Sequence, residues 1–168
     1  MTVRWEQTPH KTPRWRTTIK PEVVLVHATV SGGIEGTIAW FQNPKSKVSS
    51  DFVIGKDGEI VRMVPATHYS WHSGVCLWQG KPFRNYNAKA YGIELVNWND
   101  GKDPYPAAQL EALAYVVHLI QTERPAVKYV RRHADVGFPV GRKSDPSGLS
   151  ISQIYLSLKH HQPHLDLL

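Results

Sequence analysis

Glu22-Val23-Val24-Leu25-Val26-His27-Ala28 is a continuous apolar run of strand length that ends on a histidine. A strand with one wet face alternates polar and apolar residues. This one does not, so it reads as a strand covered on both faces, the pattern of a sheet with helices packed against it. Working outward toward the C-terminus, Thr29–Gly33 is a flexible loop in which Ser31 is placed to cap the next helix. In that helix Ile34, Ile38 and Phe41 share a face, and Asn43-Pro44 ends it. Val48–Ile54 and Glu59–Val64 flank Gly55-Lys56-Asp57-Gly58, whose Asp-Gly pair signals a hairpin turn. Residues 65–90 read mostly as loop and carry Tyr69, Trp71, His72 and Trp78. Tyr91–Asn97 is a further strand with Glu94 in its middle.

Pro106 to Glu123 has the clearest helical period, with Leu110, Leu113, Ala114, Val117 and Ile120 or Gln121 on one face and Arg124-Pro125 as its stop. Val127–Val130 is a short strand. Ser150 and Gln153 form a capping box for a last helix whose Ile151, Ile154, Tyr155 and Leu158 face inward. The expectation is a single α/β domain over residues 22–160, with a mixed central sheet flanked by helices. Residues 1–21, with three prolines and no periodicity, read as a basic extended arm wrapping that domain. Residues 161–168 read as a C-terminal tail, in which His161 and His164, with His160 just before, are not expected to form a metal site.

Composition narrows the classes. The 168 residues are 41% hydrophobic and 20% charged, ordinary for a globular chain and unlike a disordered one. No apolar run approaches the roughly 20 residues of a membrane span, and the first residues lack the apolar core of a signal peptide, so synthesis in the cytoplasm is expected. The single cysteine, Cys76, reads as a small buried hydrophobe in a chain folded under reducing conditions. Net charge is +6, with +4 of it in the first 20 residues. Such an arm suits an anionic partner, or it is simply a solvated tail. No nucleic-acid motif accompanies the charge.

Residues 131–148 are too rich in Gly and Pro for a helix or central strand, yet they bring together His133, Asp135, Lys143 and Asp145. A loop this dense in chemical groups points to function. Two histidines and a carboxylate, with a fourth position left for water, are a known ligand set for catalytic zinc. By residue type alone each member has a plainer alternative. His27 could be a hydrogen-bonded structural residue, His133 a surface residue after two arginines, and Asp145-Pro146 the opening of a turn.

Five segments, in order, resemble the type 2 N-acetylmuramoyl-L-alanine amidases, whose fold is shared with peptidoglycan recognition proteins and some phage lysozymes. They are Val-Leu-Val-His-Ala-Thr (24–29), Val-Ser-Ser-Asp-Phe-Val-Ile-Gly-Lys-Asp-Gly-Glu-Ile (48–60), Ser-Trp-His-Ser-Gly (70–74), Tyr-Gly-Ile-Glu-Leu (91–95), and His133 with Gly-Arg-Lys-Ser-Asp-Pro (141–146). The resemblance implies one zinc ion on His27, His133 and Asp145. Members that only bind peptidoglycan typically lack the third ligand. The implied reaction is hydrolysis of the amide between the lactyl group of N-acetylmuramic acid and L-alanine.

By the same resemblance Glu94 takes the position of a general base and Lys143 that of an oxyanion stabiliser. His72 lines the cleft, to bind substrate, assist proton transfer or pack beside Trp71. Trp71 and Trp78 offer flat faces to sugar rings or pack at the rim. One departure stands out: many relatives carry His, often after Tyr, where this chain has Ser50-Asp51, and the phage-lysozyme version uses that tyrosine in catalysis. Expected partners are peptidoglycan or muropeptides, and an anionic wall polymer through the arm. The arm tilts the expected role toward a lytic, endolysin-type enzyme acting on the cell wall; a cytosolic muropeptide-recycling amidase and a non-catalytic binding module are the alternatives.

Overall fold

A computed structural model describes residues 1–161. The tail expected over 161–168 therefore lies, from residue 162 onward, outside the described residues, as does His164.

The run 22–28 forms the strand β3 (Val23–Ala28), and all six of its residues are buried. It lies inside a six-stranded sheet of order β1-β5-β4-β9-β3-β10. The other members are β1 (Val3–Trp5), β4 (Phe52–Ile54), β5 (Ile60–Arg62), β9 (Ala90–Leu95) and β10 (Tyr129–Arg132). Only β4 and β5, the Asp-Gly hairpin, run antiparallel, so the sheet is mixed as expected. Four further pieces of strand lie off the sheet: β2 (Lys11–Pro13) pairs with β6 (His68–Ser70), and β7 (Cys76–Trp78) with β8 (Lys81–Phe83). With the short helix α2 (Tyr86–Lys89) they correct the expectation of a mostly loop segment over 65–90. Three-residue strands are too short for a period of two to register.

Side-chain alternation along the central strands separates two layers. Val24 and Val26 of β3, with Tyr91, Ile93 and Leu95 of β9, face α3 (Ala107–Glu123) and α5 (Ile151–His161), forming the main core with Leu113, Val117, Ile120, Ile154 and Leu158. The capping box of α5 is formed: Gln153 N donates to Ser150 Oγ and Ser150 N to Gln153 Oε1. The reverse face carries Val23, Leu25 and Ala90 with Cys76 and Tyr86, while α1 (Ile34–Gln42) covers Val53 and Val61 farther along the sheet. Helices on both faces satisfy a sheet that has no wet side. Leu113, fully buried in the larger core, sets the scale: Leu113→Ala is expected to cost about 2–5 kcal/mol, read from urea unfolding as a lower midpoint with an unchanged slope.

Four local expectations are corrected. Residues 1–21 are extended but not featureless, because β1 adds an edge strand beside β5 and a 3₁₀ turn spans Arg14–Arg16. Ser31 does not cap α1: the N-cap is Gly33, and Ser31 Oγ meets Thr37 Oγ1 instead. The strand expected at 127–130 is β10, shifted to 129–132, since an edge strand tolerates the two arginines that hid it from an apolar pattern. The segment 131–148 is not all loop, because His133–Val136 forms the short helix α4.

Candidate metal centre and cleft

In parallel and mixed sheets, ligand sites gather beyond the carboxyl ends of the strands, where successive chains diverge. Here β3 ends with His27, β9 carries Glu94, and β10 runs straight into His133 at the first position of α4. The register makes Glu94 the direct neighbour of His27 across β9 and β3. Adjacent strands stand about 4.8 Å apart, so two side chains in register on one face necessarily share one space. Asp145 returns on the following loop. Its Oδ2 lies 3.0 Å from His27 Nδ1 and 3.0 Å from His133 Nδ1. The donor atoms of His27, His133 and Asp145 all fall within 4.8 Å of one another.

Hydrogen bonds around this cluster test whether a cation fits. His133 Nε2 lies 3.0 Å from the Ser73 carbonyl, which can only accept, so Nε2 carries the ring proton. In the Nε2–H tautomer the Nδ1 lone pair of His133 therefore points at the Asp145 carboxylate. Burial works to raise the Asp145 carboxyl, but the His133 and His27 rings set against it outweigh that and hold the group well below the usual carboxylate range, so it is ionised. A lone pair facing a carboxylate oxygen at 3.0 Å repels unless a second proton or a metal cation lies between them. Burial, reinforced by the neighbouring His133 ring and Lys143 ammonium, pushes His27 down to about 4 against the pull of Asp145. Its ring is thus neutral at pH 7, as ligation requires. Two imidazoles and one carboxylate suit a divalent metal such as zinc.

The cluster opens onto a cleft of about 450 Å³, lined by Trp40, Val48, Trp71, His72, Glu94 and Lys143 as well as the three donors. The family pattern described as N-acetylmuramoyl-L-alanine amidase matches residues 17–148, a span containing every one of these residues. The chain belongs to that family.

Relatives include the 1,6-anhydro-N-acetylmuramyl-L-alanine amidase AmpD of Enterobacter cloacae, 36% identical over 102 residues, covering 59% of this chain and 50% of AmpD. N-acetylmuramoyl-L-alanine amidase A of Achromobacter lyticus is 33% identical over 102 residues, covering 60% and 51%. The chain thus matches about half the length of these relatives. Among solved structures, a selenomethionine AmpD derivative superposes with a TM-score of 0.77 at 27% identity, covering 93% of this chain and 94% of that one.

Within this amidase-family cleft the expected residues are placed unequally. Glu94 is half-buried, and its shielded Oε2 has no hydrogen-bond partner. Desolvation, with the Asp145 charge adding and Lys143 opposing, pushes its carboxyl up to about 8. His72 lines the cleft beside His27: its Nδ1 is 2.9 Å from His27 Nε2, its Nε2 is shielded without a partner, and burial holds its ring well below the ordinary histidine range. The ring fits because position 92 is glycine, since a Cβ there would come within 2.7 Å of His72 Cγ. Trp71 lines the cleft and is fixed by its indole N–H, which donates to Thr12 Oγ1. Trp78 does not line it; it packs edge-on against Tyr86 and Tyr129 in a separate depression.

The Ser50-Asp51 departure also has a place. Asp51 is buried and accepts hydrogen bonds from Ser70 Oγ and Gly92 N, joining β4, β6 and β9 beneath the cleft. Burial raises its carboxyl, with Arg14 the largest opposing influence. Arg14 lies over the Tyr91 ring at 4.5 Å, and Arg4 pairs with Glu35 and Glu59, so part of the arm's charge is spent inside the fold. Sequence reasoning missed Trp40, which is 53% exposed on α1 and lines the cleft. The available signal was an aromatic on the solvent side of an otherwise amphipathic helix. It also missed Ser73, whose backbone carbonyl faces His133 and leaves no residue-type signature, and Arg142, whose guanidinium donates to backbone carbonyls.

Proposed function

We propose that this chain is a zinc-dependent N-acetylmuramoyl-L-alanine amidase, hydrolysing the amide between the lactyl group of N-acetylmuramic acid and L-alanine. The observation that carries the reading is the His27–Glu94 register, which sets an unpartnered carboxyl beside a cluster of His27, His133 and Asp145. Those three residues would hold the ion. When bound, zinc lowers the pKa of water toward about 7 and polarises the scissile carbonyl. Glu94 takes the proton from the attacking water and delivers it to the leaving nitrogen of L-alanine. In the metal-free site the Glu94 carboxyl is pushed up to about 8, and a cation held by the three donors would favour its ionised, proton-accepting form. Lys143 lines the same cleft, and its ammonium stabilises the developing oxyanion. Trp71 presents a fixed flat wall to the sugar, and His72 steadies His27.

For the form of the substrate, the similarity to AmpD supports a soluble 1,6-anhydro muropeptide. Intact wall is the second reading, favoured by the exposed Arg16 and Lys20 on the basic arm. The test is zinc content together with release of the stem-peptide amine from a 1,6-anhydro muropeptide, set against turbidity loss of purified cell walls. Amine release without wall clearing supports the first reading; wall clearing that weakens with salt supports the second. A protein that binds zinc and releases no amine from either substrate refutes the amidase. Lys143→Met is expected to retain zinc while lowering kcat about 100-fold or more, measured in the same amine-release assay.

A further inference from the structure

We propose that Arg142 is a positioning residue for the metal centre, a clasp that holds the Asp145 loop and the His133 ring in ligating geometry through the backbone of residues 73–75. The inference rests on reading His27, His133 and Asp145 as metal ligands. Arg142 Nε donates to the Phe138 carbonyl at 2.7 Å, and its Nη2 donates to the Val75 carbonyl at 2.8 Å and the Ser73 carbonyl at 3.1 Å. The side chain is thereby committed to backbone acceptors on two segments. One contains Phe138 and leads to Lys143 and Asp145; the other, Ser73 to Val75, follows His72 and faces the His133 ring. A planar fork of fixed donors can bind such a set at once, which a single ammonium cannot.

The Ser73 carbonyl is the shared point. It accepts from Arg142 Nη2 and faces His133 Nε2 at 3.0 Å. An acceptor at that place keeps the proton on Nε2 and leaves Nδ1 bare toward the metal position, and Arg142 keeps the acceptor in place. Two backbone bonds tie the same segments together: Phe138 N donates to Val75 O and Ala134 N to Asp145 O. The His133 ring, the Asp145 loop and residues 73–75 thus form one unit, in which Arg142 supplies the cross-links made by a side chain. Gly74, at φ +63, brings the chain past the guanidinium, and a Cβ there would meet Nη2 at 3.5 Å.

The experiment compares wild type, Arg142→Ala, Arg142→Lys and, as a control, Arg131→Ala, whose guanidinium serves Val130 O and Tyr155 Oη instead. Zinc affinity is measured by competition with a chromophoric chelator, and the histidine ring nitrogens of the metal-free proteins by long-range proton–nitrogen NMR. The expected result is zinc binding weakened about 10–100-fold in Arg142→Ala, only partly restored in Arg142→Lys, and within twofold of wild type in Arg131→Ala. In metal-free wild type His133 should show the Nε2–H tautomer with a slowly exchanging ring proton; in Arg142→Ala that proton should exchange fast or the tautomers mix. Zinc affinity within twofold of wild type together with unchanged His133 signals in Arg142→Ala overturns the clasp. If that variant does not fold, Arg142→Lys gives the same two readouts. Wild type that binds no zinc counts against the proposed function, and the tautomer comparison still decides whether Arg142 positions His133.

Discussion

His133→Ala is expected to lose stoichiometric zinc and at least about 1,000-fold of kcat/KM on a muropeptide, because one of the three proposed ligands goes and with it the activation of water. The fold should survive. His133 starts a one-turn helix beyond the sheet, and the Ser73 carbonyl keeps its bond from Arg142. Metal removal separates the site from the scaffold. A chelator should lower the Tm of wild type, since a ligand at 1,000 times its Kd contributes about 4 kcal/mol to the folded state. It should leave the Tm of His133→Ala unchanged. A variant with full zinc content and activity would remove His133 from the site.

Glu94→Gln is the second large effect. The amide keeps the shape of the carboxyl but can neither take nor deliver the proton, so kcat is expected to fall by about 100- to 10,000-fold while zinc is retained. Stability should move the other way. In the metal-free protein the Glu94 carboxyl holds its proton to about 8, whereas the ordinary value is 4.5. Between those values the folded state binds the extra proton, so this group's contribution to stability falls as pH rises through the window. Glu94→Gln removes the penalty. Its metal-free Tm should exceed that of wild type at pH 8–9, with the gap closing below pH 4.5. His27, pushed down to about 4, acts in the opposite sense: the unfolded chain binds the extra proton, so its contribution is lost as pH falls from 6.5 toward 4. Comparing the variant with wild type cancels that term. Equal Tm values at every pH would mean that Glu94 is solvated rather than shielded in the cleft. Loss of a buried charge that raises stability and abolishes turnover is the signature of a group placed for chemistry.

The pieces legible in the chain were those governed by local physics. An unbroken apolar run made β3 a doubly covered strand, the Asp-Gly pair made the β4–β5 hairpin, and a 3.6-residue period made α3. The Ser150–Gln153 cap works through atoms three residues apart. Where the local signal was weak, the reading slipped. The strand β10 hid behind two arginines, Ser31 was passed over for Gly33, and the three-residue strands of 65–90 were invisible. Cys76, expected as a small buried hydrophobe, is one.

The identities of the site residues were present in the sequence, as residue types and in the order in which motifs recur. Their relation was not. That Glu94 faces His27 depends on the register of β9 against β3, and a shift of one residue would have turned it toward α3. That His72 supports His27 depends on the space left by Gly92, and that Asp51 is a buried brace depends on Ser70 and the Gly92 amide. Trp71 and Trp78 look equivalent along the chain, yet only Trp71 reaches the cleft. Composition and spacing determine which groups are available and which elements carry them, because those depend on neighbours within a few residues. Distance, desolvation and tautomer belong to the tertiary structure alone, because each is set by atoms brought together from distant parts of the chain: His27 and Asp145 meet across 118 positions of sequence.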